Sequence, residues 1–285
     1  MARLRNRLGA AVLGVVFSAI SAQGAEVEPD LKRKINVAGK QRMLSQRMAR
    51  AACFAAQGVM AGDEDQIRAG AQAAFAAALD DLRHGSDFRG MRAEQRPGVL
   101  AAMDAVEALW PDYAAMLDRA AADPEALAQV AEHALPVLKA ANGVVMALEA
   151  ANAGSGVSDD LARLINVAGR QRMLTQRAAK EHCLIAAGID VAGNRAALAK
   201  TVALFDRSLE GLIAGDAELG LIAAPDETLL YQLDYVRDLW GPLRSQFTRV
   251  IDGGRPGSIG MSTVAANIDT VLVATDEAVW FYENL

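Results

Sequence analysis

Residues Ile35 to Arg47 read INVAGKQRMLSQR, and residues Ile165 to Arg177 read INVAGRQRMLTQR. Eleven of the thirteen positions are identical, and the two differences, Lys40 to Arg170 and Ser45 to Thr175, keep the charge and the hydroxyl. Working outward, the offset that carries Ile35 to Ile165 also relates Cys53 to Cys183, Gly58 to Gly188, Phe75 to Phe205, Leu79 to Leu209, Leu82 to Leu212 and Trp110 to Trp240. Past the tryptophans a slip of five in register pairs Asn142 with Asn267, both in Ala-Asn contexts. Self-similarity at a fixed period means that one structural module is present twice.

Each module predicts four helices. In the first they span 29–60, 63–85, 97–121 and 124–152, with breaks at Gly62-Asp63, His84-Gly85-Ser86 and Asp123-Pro124. In the second they span 158–189, 192–214, 226–252 and 258–284, with breaks at Gly188, at Gly215, before Asp226 and at Gly253-Gly254-Arg255-Pro256-Gly257. Pro97, Pro124 and Pro225 stand at helix starts, where a fixed φ and a missing N–H do no harm. Asp123, Ser158 and Ser258 are suited to N-capping. Pro111, Pro136 and Pro242 fall inside helices and predict kinks or interruptions. Helices of this length joined by short connections become antiparallel neighbours. The expected fold is therefore all-α, with two tandem up-down four-helix bundles over 26–153 and 157–285, joined at Ala153-Gly154-Ser155-Gly156.

Composition agrees. The 285 residues are 52% hydrophobic but only 5% aromatic, and alanine, the best helix former, dominates. Arg3, Arg5 and Arg7 precede an uncharged stretch from Gly9 to Ile20, followed by Ala22-Gln23-Gly24. This pattern reads as a secretory signal peptide over residues 1–25, with an uncleaved anchor as the alternative. The formal net charge is −6, and loss of the three leader arginines makes the remainder more acidic still. An acidic exported chain is poorly matched to nucleic acid, whose affinity comes from neutralised phosphates. His84, His133 and His182 are scattered without metal-ligand spacing, and no phosphate loop or nucleophile elbow is present. No enzyme, metal or cofactor is expected.

Projected at 100° per residue, Ile35, Ala38, Gly39, Arg42, Gln46, Ala49 and Cys53 share one helix face, while Lys40 and Arg47 lie on a separate arc. The second copy repeats the face with Ile165, Ala168, Gly169, Arg172, Gln176, Ala179 and Cys183. Arg42 and Arg172 thus sit among small residues, one turn after a glycine that costs about 1 kcal/mol relative to alanine in a helix. A guanidinium so placed needs an anion or acceptors. Its planar fork suits a planar oxyanion, and the alternative is a neighbouring carboxylate such as Asp104, Glu107 or Asp234.

The motif resembles the N-terminal signature of the PilJ/NarX-like periplasmic sensing domain, found in type IV pilus chemotaxis transducers and nitrate/nitrite sensor kinases. The resemblance covers both modules. It implies that Arg42 and Arg172 bind a small anion such as nitrate or nitrite, with Gly39, Gly169, Gln46 and Gln176 beside them. Lys40-Gln41 and Arg170-Gln171 replace the Ser-Leu of the nitrate sensors, and Gln46 and Gln176 replace a Tyr, as in the pilus-transducer branch. The expected function is a periplasmic binding or sensing protein that signals through a membrane sensor, transducer or transporter. In it the arginines face one another across one anion, or each motif dimerises with a second chain as a homodimer. The alternative is a ligand-free helical adaptor. If the first helices of the modules pack parallel, Cys53 and Cys183 approach each other, and either a disulfide or two buried thiols would result.

Overall fold

The computed structural model describes residues 20–151 and 159–285, with side chains from Pro29 and from Asp160. The expected signal peptide lies outside these residues apart from positions 20–25 at the start of α1, and the joint at 153–156 and the Ser158 cap lie outside them too. Among the described residues the first module holds α1 (Ile20–Ala56), α2 (Ala61–His84), α3 (Pro97–Arg119) and α4 (Pro124–Ala150). The second holds α5 (Asp159–Ala186), α6 (Val191–Ala214), α7 (Glu227–Ile251) and α8 (Ser258–Glu283). The loop after α2 carries a two-stranded ribbon, β1 (Gly85–Ser86) and β2 (Met91–Arg92), and the equivalent loop carries one bridge between Asp216 and Leu221. The architecture is all-α, with each module an up-down bundle.

Helix ends follow local chemistry. Both first helices stop short of their expected ends, because Gly58 and Gly188 adopt positive φ (69° and 76°). There Val59 N–H returns to the Phe54 carbonyl, and Ile189 N–H to that of Leu184, each at 3.0 Å. This is the Schellman closure that glycine permits. Helix α1 extends back through Pro29, which is no helix start. Asp123 caps α4 by accepting from Glu125 N–H, and Asp226 caps α7. Ser258 is the first helical residue of α8 rather than its cap, a place taken by Gly257. Pro111, Pro136 and Pro242 lie within α3, α4 and α7 without breaking them. All three face solvent, where water can satisfy the carbonyl that a proline frees.

Each core is anchored by a stacked pair, Phe75 on Trp110 with centroids 4.6 Å apart and Phe205 on Trp240 at 4.0 Å. The modules do not string end to end. Helices α1 and α5 pack directly against each other, and equivalent residues of the two copies meet at both ends of the contact. Gly39 lies beside Arg172, Gly169 beside Arg42, and Cys53 is bonded to Cys183 with Cα atoms 6.1 Å apart. A register kept from Gly39 to Cys53, about 21 Å of helix, makes the two helices parallel. Outside this pair, α2 and α4 flank α1, and α6 and α8 flank α5.

The fourth helices correct the sequence register. Asn267 is exposed and bonds only to the Thr263 carbonyl one turn earlier. Burial superposes when Ala134 is set on Ile268 instead of Asn142 on Asn267. Val137, Leu138, Val145 and Leu148 then correspond to Val271, Leu272, Val279 and Tyr282, all buried. Extra residues in the glycine-rich turn before α8 push the register forward, and the Ala-Asn match between Asn142 and Asn267 was coincidental.

The disulfide joins cysteines 130 positions apart and ties the two modules at one end of the seam. The paired Cys53→Ser, Cys183→Ser variant is expected to lose about 2–4 kcal/mol of stability, measured as a urea midpoint. Non-reducing peptide mapping of the parent checks the linkage itself.

Candidate functional site

The α1–α5 seam contains the repeated motif, and its geometry is built by two glycines. A Cβ on Gly39 would stand 3.4 Å from Nη2 of both Arg42 and Arg172, and one on Gly169 would stand 3.1 Å and 3.6 Å from Arg172 and Arg42. Both Nη2 atoms thus border the same two small spaces, one beside each glycine. Each arginine is only 1% exposed. Two cations are held together in a buried seam, in space that side chains would otherwise fill.

Their partners differ. Arg42 Nη1 donates to Asn142 Oδ1 at 3.0 Å, and Nη2 donates to the Asn166 carbonyl at 3.3 Å. Arg172 Nη1 donates to Asp276 Oδ1. Asp276 takes on α8 the position that Asn142 takes on α4. Arg42 Nε, Arg172 Nε and Arg172 Nη2 find no acceptor. Burial, then the neighbouring charges of Arg170 and Arg172, pull the Arg42 guanidinium down to about 9, against an opposing pull from Glu149. Burial would raise Asp276, but Arg172 and Lys40 hold its carboxyl below the usual range. Of the sequence alternatives, Asp104 and Glu107 bind Arg83, and Asp234 binds Arg237. None of these reaches the motif. The carboxylate that does, Asp276, was not singled out from sequence.

The glutamines lie one turn further on and are largely engaged. Gln46 Nε2 donates to Ser45 Oγ and to the Ala134 carbonyl, and its Oε1 accepts from the buried Lys180 at 2.8 Å. Burial lowers Lys180 to about 8. Gln176 Nε2 donates to Asp269 at 3.2 Å, leaving its Oε1 unpaired. Lys180 and its counterpart Arg50 were also missed from sequence. Arg50 is fully buried between Glu64 at 2.9 Å and Asp269 at 3.1 Å.

Spacing gave a usable clue. Asp269, Asp276 and Glu283 recur at heptad spacing on α8, and they meet Arg47, Arg172 and Asn36 of the seam at 2.8 Å, hydrogen-bond contact and 2.7 Å. The matching positions on α4 are Leu135, Asn142 and Glu149. Burial raises both Glu149 and Glu283. A cavity of about 240 Å³ opens on the α4 side, lined by Arg42, Asn142, Lys139, Arg170, Arg177, Leu135, Leu138 and Met173. Arg177 is paired with Glu181 at 2.7 Å. Among the described residues no carboxylate lies within ion-pairing distance of Arg170, whose guanidinium is lowered by burial.

Glu181 and His182, adjacent in the chain beside the second motif, do not form an acid–base pair. Glu181 holds Arg177 and accepts from Thr201 at 2.7 Å. His182 packs its edge on Phe247 with Nδ1 unpaired. Among the described residues, no group of three or more His, Cys, Asp or Glu side chains is placed to hold a metal ion.

Comparison with known proteins agrees with the duplication. The family described as "Type IV pili methyl-accepting chemotaxis transducer N-term", PilJ, matches residues 30–134 and again 156–256. The chain belongs to this family and carries the domain twice. Over 86 residues, 30% of this chain, it is 38% identical to the methyl-accepting chemotaxis protein McpN of Pseudomonas aeruginosa. That alignment spans 16% of McpN.

Burial pushes His182 down to about 4, so the folded chain keeps it neutral where the unfolded chain, titrating near 6.5, takes up a proton. Stability is therefore full above about pH 6.5 and falls as the pH drops towards about 4. In His182→Leu the loss of unfolding free energy between pH 7.5 and 4.5 is expected to shrink by about 2 kcal/mol, measured by urea denaturation at both pH values.

Proposed function

We propose that this chain is an exported, periplasmic sensing module that binds one small oxyanion, nitrate or nitrite, between Arg42 and Arg172. Gly39 and Gly169 provide the close approach, and an anion-induced change in the α1–α5 seam is passed to a membrane-bound transducer or sensor. The chain acts by binding and carries out no catalysis. One observation carries this reading: two buried guanidinium groups meet beside the same pair of glycines, and among the described residues only that of Arg172 is paired with a carboxylate, with buried Nε and Nη2 donors unpaired. Buried charge without compensation is strongly unfavourable, and a planar oxyanion accepts from two such forks at once. Membership of a chemotaxis-transducer family and the likeness to McpN support a signalling partner. The basic, then apolar, N-terminal sequence supports export.

Binding only the folded state raises stability by about 2.7 kcal/mol at a hundredfold excess over Kd. For a chain of this size that corresponds to a melting shift of about 5–10 °C. Nitrate or nitrite is expected to produce such a shift in the parent and none in Arg42→Ala or Arg172→Ala. No shift with any small oxyanion would overturn the reading.

One observation favours a second reading, a ligand-free adaptor. Helix α8 buries Val264, Ile268, Val271 and Val279, yet Ile259, Val273 and Trp280 are 82%, 65% and 57% exposed on its other side. With Ala266 they recur at heptad spacing, that of a helix-packing stripe. If this face docks a partner helix, Val273→Glu together with Trp280→Glu abolishes co-purification of the transducer, and small oxyanions leave the stability of the parent unchanged.

A further inference from the structure

We propose that the duplicated site is one-sided, with Asp276 acting as a tethered anion that holds Arg172 while the free anion is taken from the α4 side. This rests on the proposed anion-binding function, narrows the anion's place to the Arg42 side of the seam, and names what sets its affinity and stoichiometry.

The two halves of the seam are related by the repeat, so differences between them isolate what each fourth helix contributes. On the α8 side the cations are already answered. Asp276 meets Arg172 and lies 3.4 Å from Lys40, and Asp269 meets Arg47 at 2.8 Å and Arg50 at 3.1 Å. On the α4 side a neutral amide, Asn142, faces Arg42, and an apolar side chain, Leu135, replaces Asp269. Lys139 stands there where α8 has Val273, adding a cation in place of an apolar side chain. The nearest acid further along α4 is Glu149, two turns beyond Asn142.

The cavity follows this imbalance. It is lined by Arg42, Lys139, Asn142 and Arg170 over a floor of Leu138 and Met173, and Arg172 is not among its lining residues. Its volume of about 240 Å³ admits a small oxyanion with accompanying water. An amide beside the guanidinium is also the right neighbour for an arriving anion: it orients Arg42 through its oxygen without neutralising it. A carboxylate in that place is an intramolecular competitor, present at the high effective concentration of a tethered group. One free anion per chain is the outcome, where a symmetric pair of half-sites would leave both arginines open to solvent anions.

Two isosteric exchanges, made in the full chain, test the assignment, with nitrate as the probe in isothermal titration. Asp276→Asn removes the tethered charge and is expected to tighten nitrate binding about tenfold, equivalent to about 1.4 kcal/mol, with stoichiometry still near one. Asn142→Asp installs a second tethered carboxylate and is expected to weaken binding at least tenfold; unchanged circular dichroism establishes that either variant is folded. Nitrate binding to Asp276→Asn but not to the parent overturns the assignment, because the built-in carboxylate then occupies the place of the free anion. Parent binding that neither exchange alters overturns the one-sided arrangement and leaves the oxyanion function standing. Absence of binding in the parent and in both variants removes that function and this assignment together.

Discussion

The structure turns on placing two like charges in one buried seam. Arg42 and Arg172 project from parallel helices toward each other, each almost wholly buried. Coulomb repulsion between charges so close in a low-dielectric surrounding is large, so everything nearby acts as compensation. Asn142 and the Asn166 carbonyl orient one guanidinium, and Asp276 neutralises the other. The arrangement is held because it is embedded between two complete bundles. The disulfide between Cys53 and Cys183 further restricts sliding of one first helix along the other.

Duplication within one chain changes what such a seam can do. Two identical chains meeting about a two-fold axis must present the same groups from both sides. A fused pair is free of that constraint, and this chain has diverged where it matters. The first helices have kept eleven of thirteen motif residues in common, while the fourth helices differ at two of three matching positions, one bearing Asp269, Asp276 and Glu283 and the other Leu135, Asn142 and Glu149. The motif supplies the cations in duplicate, and the fourth helices decide how each is balanced.

Small residues make the arrangement possible. Gly39 and Gly169 matter for their missing Cβ, which leaves the guanidinium groups room between two helix backbones. They keep ordinary helical φ. Gly58 and Gly188 serve by the opposite property, adopting positive φ to end the same two helices. Each module then uses a stacked aromatic pair, Phe75 with Trp110 or Phe205 with Trp240, to join α2 to α3 and α6 to α7.

Helix number, helix order and the inward direction of Arg42 and Arg172 were legible in the amino-acid sequence, because they depend on local period, breakers and a repeated motif. The repeat also announced that Cys53 and Cys183 occupy equivalent places. Other features required the tertiary structure. That the modules lie side by side, with α1 parallel to α5, depends on packing between segments far apart in the chain. Asp276 escaped notice because its register is set by the length of the Gly253–Gly257 turn, and the short Ala-Asn likeness around Asn267 pointed the wrong way. Lys180 and Arg50 were not singled out from sequence, yet the packed bundles bury both. A sequence states which face of a helix a side chain occupies, and only the packed molecule states what stands opposite that face.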